Sequence, residues 1–206
     1  RPMEIEKKSF EIIKGELGEE FVSRYPADAL PVLCRVIHTT ADFSYRDTLT
    51  ITEGAIGLAK EAIHRGLPII TDTTMAASGI NKTAARKFGI DVHCFIADED
   101  VKEAAKASGM TRSAVSAEKA ARLYPECIYA VGNAPTALMR LYELIEEKKI
   151  RPALIIGVPV GFVNVVEAKE LILRTDVPAI VARGRKGGSN IAAAICNALL
   201  YEAGGR

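Results

Sequence analysis

From Thr50 onward, short apolar runs alternate with longer stretches of helical periodicity, and this alternation constrains the fold more than any other feature of the chain. The runs are 68–71 (PIIT), 91–96 (DVHCFI), 127–131 (CIYAV), 153–156 (ALII) and 179–182 (AIVA). Helical patterns lie at 53–65, closed by Gly66, around 104–106 and 114–123, and at 136–147, 166–174 and 191–202. Strands that are apolar throughout are buried on both faces, and helices between them are the crossovers that cover a parallel sheet. The expected fold is α/β, a single doubly wound domain with a mainly parallel sheet of five or six strands, spanning residues 1–206. No linker rich in Gly, Ser or Pro divides the chain, and no internal repeat is present. Ahead of the alternation, residues 4–16 carry Ile5, Phe10, Ile12 and Ile13 among charges, the pattern of a surface helix ending near Gly15 or Gly18. A second helix is expected over 29–39, ending near His38.

A sheet of this kind binds ligands at the carboxyl ends of its strands. Those ends open here into loops of small residues: 72–80 (DTTMAASGI), 132–137 (GNAPTA), 157–163 (GVPVGFV) and 183–190 (RGRKGGSN). Glycine lets the backbone approach a ligand, and exposed amides at a helix start attract anions. The last loop adds Arg183, Arg185 and Lys186. Turning the chain is enough to explain any one of these loops, with Ser189 as the cap of the final helix. Four of them on one sheet edge point to a concave, amide-rich site for a polyanion.

Several function classes find no support. Lysine and arginine total 27 against 26 acids, so nothing favours non-specific attraction to nucleic acid or to an acidic membrane. Aromatic residues make up 6% and tryptophan is absent, too little for base-stacking platforms. Cys34, Cys94, Cys127 and Cys196 lie far apart with no CxxC, the pattern of reduced thiols in a cytoplasmic protein. The charged start lacks the apolar core of a signal peptide, and the stretch 153–163 is too short and too broken by Gly and Pro to span a bilayer. GxxxxGK(S/T) is missing, and 184–188 (GRKGG) is not GxGxxG and comes at the end of the chain, which weakens a nucleotide-dependent oxidoreductase.

Proton chemistry falls to three histidines. His64 ends a helix beside Arg65 and Gly66, where a solvated imidazole complements the helix dipole. His93 lies within a strand pattern and is expected to pack there. His38 ends an amphipathic helix and opens the segment 38–42 (HTTAD); it either caps that helix or faces a cavity as proton donor or acceptor. Arg35, one turn earlier, is either a surface ion pair with Asp28 or Asp42 or a carboxylate clamp beside His38. Arg112 opens a helix as a loop cation, and Ser9 reads by default as a helix-surface hydroxyl. Cys34, His38 and Asp42 are four residues apart, but Thr39 and Thr40 are expected to end the helix before Asp42, so no protein-held metal is expected. No GxSxG elbow is present.

Taken in order, seven segments resemble precorrin-8X methylmutase, the precorrin isomerase family that includes the cobalt-precorrin-8 enzymes. They are 9–13 (SFEII), 35–38 (RVIH), 72–75 (DTTM), 111–114 (TRSA), 132–138 (GNAPTAL), 157–163 (GVPVGFV) and 183–189 (RGRKGGS). The resemblance implies an isomerase of cobalamin biosynthesis that moves a methyl group from ring carbon 11 to carbon 12 of precorrin-8X or cobalt-precorrin-8, giving hydrogenobyrinate or cobyrinate. It implies His38 as the proton donor or acceptor to the macrocycle. It places Ser9 at the substrate, whose acetates and propionates suit backbone amides and Arg35, Arg112, Arg183 and Arg185; Asn133, Ala134, Thr136, Gly157, Gly161, Gly187, Gly188 and Ser189 of the loops complete the expected substrate site. It also implies a homodimer with the site beside the subunit interface. An isomerisation exchanges no electrons, so no cofactor is expected. Two other readings predict different behaviour: a nucleotide-dependent enzyme would bind NAD(P) or ATP, and a tetrapyrrole carrier would release its ligand unchanged.

Overall fold

The computed structural model describes residues 2–206; Arg1, part of the charged start, lies outside the described residues. The chain opens with α1 (Pro2–Leu17), α2 (Glu19–Arg24), α3 (Leu30–Thr40) and α4 (Tyr45–Thr48). There follow β1 (Leu49–Ile51), α5 (Ala55–His64), β2 (Ile69–Thr71), α6 (Thr74–Gly79), α7 (Lys82–Arg86) and β3 (Val92–His93). Next come α8 (Glu99–Ser108), α9 (Arg112–Leu123), β4 (Ile128–Val131), α10 (Pro135–Glu146), β5 (Leu154–Gly157) and α11 (Val165–Leu173). The chain ends with β6 (Ala179–Ala182), α12 (Ser189–Leu200) and a π-helical turn, Tyr201–Gly205.

The six strands form one sheet in the order β1-β6-β5-β4-β2-β3. All neighbours run parallel except β1, which pairs antiparallel with β6. The expected mainly parallel α/β architecture is therefore present. The sequence reading missed β1, because three residues with Thr at the centre carry no distinctive apolar run. It also overextended β3, where two residues pair with β2 and the following segment turns away. The short helices α2, α4, α6 and α7 fell below the length at which periodicity is visible.

Side-chain alternation divides the interior. Ile128 and Ala130 of β4, with Ile69, Leu154, Ile156 and Ile180, pack beneath α3, α5 and α12. Tyr129 and Val131, with Ile70, Ile155 and Val181, pack beneath α9, α10 and α11. Period-two geometry sends neighbouring residues of one strand into opposite layers, so strands buried on both faces must be apolar at every position. Burying one such Ile stabilises by about 1.5–3 kcal/mol.

From β2 the chain runs to β3 on one side, then crosses back to place β4 on the other. The carboxyl ends of β2 and β4 thus flank the point where strand order reverses, the usual position of a ligand crevice in open α/β sheets.

Candidate active site at the carboxyl edge of the sheet

At that switch point Asp72, directly after β2, is almost completely buried. Its carboxylate accepts the backbone N–H groups of Gly132 at 2.8 Å, Asn133 at 2.9 Å and Ala134 at 2.8 Å. Burial raises its pKa despite these three bonds. The amides that sequence reading offered to a substrate anion here are occupied by the protein's own carboxylate. Only the Asn133 side chain of this trio remains exposed. The loop instead presents Thr136, whose hydroxyl accepts a 2.9 Å hydrogen bond from Thr111. Thr111 also caps α9 through the Ala114 amide, so Arg112 at the start of α9 is carried beside this loop.

The loops after β5 and β6 are stitched together. Gly161 N–H donates to the Arg185 carbonyl at 3.1 Å, and Gly188 N–H to the Val158 carbonyl at 2.8 Å. A Cβ on Gly187 would lie 2.1 Å from the Val158 carbonyl oxygen and 2.7 Å from that of Pro159, so only glycine permits this approach. A Cβ on Gly132 would likewise lie 2.5 Å from the Ser189 Cα, which joins the β4 and β6 loops. Ser189 does not cap α12. Gly188 holds that position, and the Ser189 hydroxyl lies 2.7 Å from that of Thr73, the N-cap of α6. Gly157 is no part of the exposed site either, since it ends β5 inside the core against Leu138 and Val181.

His38 lies on the exposed side of α3, near its end. Its ring meets Phe10 of α1 edge-on at 5.6 Å between centroids. No described residue hydrogen-bonds its nitrogens, and it does not cap α3, whose C-cap is the left-handed Ala41. Ser9, next to Phe10, donates its hydroxyl to the Ile5 carbonyl within α1 at 2.9 Å. The end of α3 is tied to the β6 loop: Lys186 donates to Asp42 at 2.6 Å and to the Ser44 hydroxyl at 3.0 Å. The Lys186 hydrogen bond is the chief cause that brings the Asp42 carboxyl down to about 2. His38 is thereby held on the same side of the molecule as the four loops.

Two arginines are committed elsewhere. Arg35 pairs with Glu6, not with Asp28 or Asp42, and its guanidinium lies between the rings of Phe10 and Tyr201. Burial acts to raise the Glu6 pKa, but hydrogen bonds from Arg35 and Arg206 hold it below the usual range. Arg35 is thus a strut between α1 and α3. Arg183 forms a two-pronged pair with Glu170 at 2.8 and 2.7 Å. Among the described residues, neither Arg112 nor Arg185 pairs with a carboxylate; Arg185 lies over the exposed Phe162 ring at 5.4 Å. Met75, Val160, Phe162 and Val163 are exposed apolar side chains on these same loops. Cys34 is buried and Asp42 faces Lys186, so neither joins His38 around a metal, and no cluster of metal-ligating side chains exists among the described residues. His93 stacks with Tyr124 and Phe95, as its strand position predicted. His64 is exposed, with its Nε2 3.1 Å from the Ala203 carbonyl oxygen.

A family model described as precorrin-8X methylmutase matches residues 4–202. The chain belongs to this family. A cobalt-precorrin-8 methylmutase of Leptospira interrogans is 45% identical, over 95% of this chain and 91% of that protein. That of Salmonella typhimurium is 43% identical, over 98% and 96%. The crystal structure of a precorrin-8x methyl mutase from Thermus thermophilus superposes with a TM-score of 0.87 at 38% identity, covering 97% of this chain and 96% of that one. Asp72, Thr73 and Lys169 escaped the site reading of the sequence. An acid straight after an apolar strand, and a lysine among the apolar positions Val165, Ala168 and Ile172, were the signals for two of them.

Proposed function

We propose that this chain, as one domain over residues 1–206, catalyses the reaction for which its relatives are named. It is an isomerase of cobalamin biosynthesis, moving a methyl group from ring carbon 11 to carbon 12 of precorrin-8X or cobalt-precorrin-8. The observation that carries the reading is a family match along nearly the whole chain, joined to a sheet edge where His38 and four glycine-bearing loops share one side.

In this mechanism His38 donates or accepts a proton at the macrocycle near the migrating methyl. Its unbonded nitrogens and exposed position support that role. Arg112, Arg185, Ser9, Asn133 and Thr136 meet the substrate carboxylates and polar edges, and the Met75 and Phe162 side chains meet its apolar face. Arg35 and Arg183 act indirectly, since Glu6 and Glu170 already engage them. Holding the ring in one geometry supplies much of the rate, and general acid or base assistance adds about a hundred- to ten-thousand-fold. A homodimer, with the exposed apolar loops beside its interface, and a cytoplasmic location complete the proposal. No helix among the described residues is long and apolar enough to cross a membrane.

The deciding assay mixes the protein with precorrin-8X or cobalt-precorrin-8 and isolates the tetrapyrrole afterwards. A methyl-shifted isomer is the expected product; unchanged starting material would make the protein a carrier. His38→Ala should still fold and bind but lose at least about a hundredfold in kcat. Full-rate turnover by that variant would remove His38 from the mechanism.

A further inference from the structure

Lys169 lies in α11 and is fully buried. Its Nζ donates to the carbonyl oxygens of Gly184 at 2.7 Å and Lys186 at 2.9 Å. No carboxylate among the described residues pairs with it. On α11, Glu170 is held by Arg183 and Glu167 is exposed. On α10, which packs against α11, Arg140 gathers Glu143 and Glu147. Strands β5 and β6 carry no titratable side chain, and the loop above contributes only the cations Arg183, Arg185 and Lys186. A buried ammonium without a counter-charge is costly, and an apolar side chain of similar length would fill the same space. Burial pushes the Lys169 ammonium down to about 8.

The two accepted carbonyls fix more than the loop's position. In a trans peptide the N–H of one residue points opposite to the carbonyl of the residue before it. With the carbonyls of Gly184 and Lys186 turned inward onto Lys169, the N–H groups of Arg185 and Gly187 face the other way. No described residue accepts from either of them. Outward amides at alternate positions of a glycine-rich turn can bracket an anion, as the first and third N–H groups of a nest do.

We propose that Lys169 is a positioning residue: it turns the amides of Arg185 and Gly187 outward into a nest for one carboxylate of the tetrapyrrole, and the carboxylate offsets the charge buried beneath the loop. The inference rests on the methylmutase reading above. A substrate anion in the nest is the missing counter-charge, and the ammonium polarises both peptide groups toward it.

The test compares wild type with Lys169→Met and Lys169→Gln in steady-state conversion of cobalt-precorrin-8 over pH 6.5–9.5. The expected result is a KM raised by about tenfold or more, with kcat changed by less than about threefold. In wild type kcat/KM should fall as pH rises through about 8. The variants should lack that limb and sit at a uniformly low value. A loss of folded protein alone would lower the active fraction and leave KM and the pH profile as in wild type. Unchanged KM in a folded variant overturns the proposal. Should neither variant fold, the Kd of cobalt-precorrin-8 for His38→Ala protein with Lys169 intact decides. Weakening by about tenfold between pH 7 and 9 supports the nest, and a flat Kd overturns it. Failure of wild type to convert the substrate at all would instead strike the methylmutase reading.

Discussion

At the scale of single residues, the site is organised by charges that never meet solvent. Asp72 joins β2 to the loop after β4 through three amides, across the point where strand order reverses. Asp72→Asn leaves one oxygen and puts an N–H group where only acceptors fit. At least one amide then loses its partner, and the expected destabilisation is about 2–4 kcal/mol, read as a lower urea midpoint at unchanged slope. kcat/KM should fall in the folded variant as Thr136 and Arg112 shift; an unchanged midpoint would show that the amides are satisfied without the charge. Sequence reading singled out His38 and the glycines of 183–189 by residue type, and the fold puts them on an exposed helix face and in the loop after β6. It was blind where a partner bears on the role. Arg35 read as an ion pair with Asp28 or Asp42 or as a clamp, and Arg183 as a loop cation; their partners Glu6 and Glu170 lie 29 and 13 positions away, and spacing alone does not pair them.

At the scale of elements, the long helices and the central strands were legible because burial on two faces imposes a composition on them. The edge strand β1 and the two-residue β3 were not, since an edge needs fewer apolar positions. The tie between α3 and the loop after β6 was also invisible: Asp42 follows His38 closely in sequence, but Lys186 lies 144 positions away. This tie has a pH signature. The Asp42 pKa is lowered from 3.8 to about 2 in the folded protein, so the unfolded state binds the proton more readily. The contribution of the pair to stability is complete above about pH 4 and disappears as pH falls through about 2. Asp42→Asn should therefore be less stable than wild type by a constant margin above pH 4, and the two should converge toward pH 2. The same substitution frees the end of α3, so kcat/KM at neutral pH should drop by about tenfold, the cost of small misplacement of His38. Equal activity with and without the carboxylate would show that α3 needs no clasp.

At the scale of the whole molecule, the two ends of the sheet differ in what they offer. A cleft of about 1040 Å³ lies at the amino ends of the strands between Arg65, Glu126, Lys149, Arg151 and Asp176. Its charges are mixed, and Arg65 with Glu126 and Arg151 with Asp176 pair among themselves. The carboxyl end has loops of glycine, unpaired Arg112 and Arg185, exposed Met75 and Phe162, and His38. A cleft is the first end's claim to a ligand, whereas parallel-strand topology and the charge balance favour the second. A flat, multiply anionic macrocycle needs cations that are not already neutralised. Reversing one charge at each end separates the two. Arg151→Glu should leave kcat/KM within about twofold of wild type, as expected for an exposed residue away from the site. Arg185→Glu should raise KM by at least about tenfold, because like charges then face each other across the loop proposed to receive the carboxylate. The reverse ranking would move substrate binding to the amino-end cleft and leave the carboxyl-edge loops as turns.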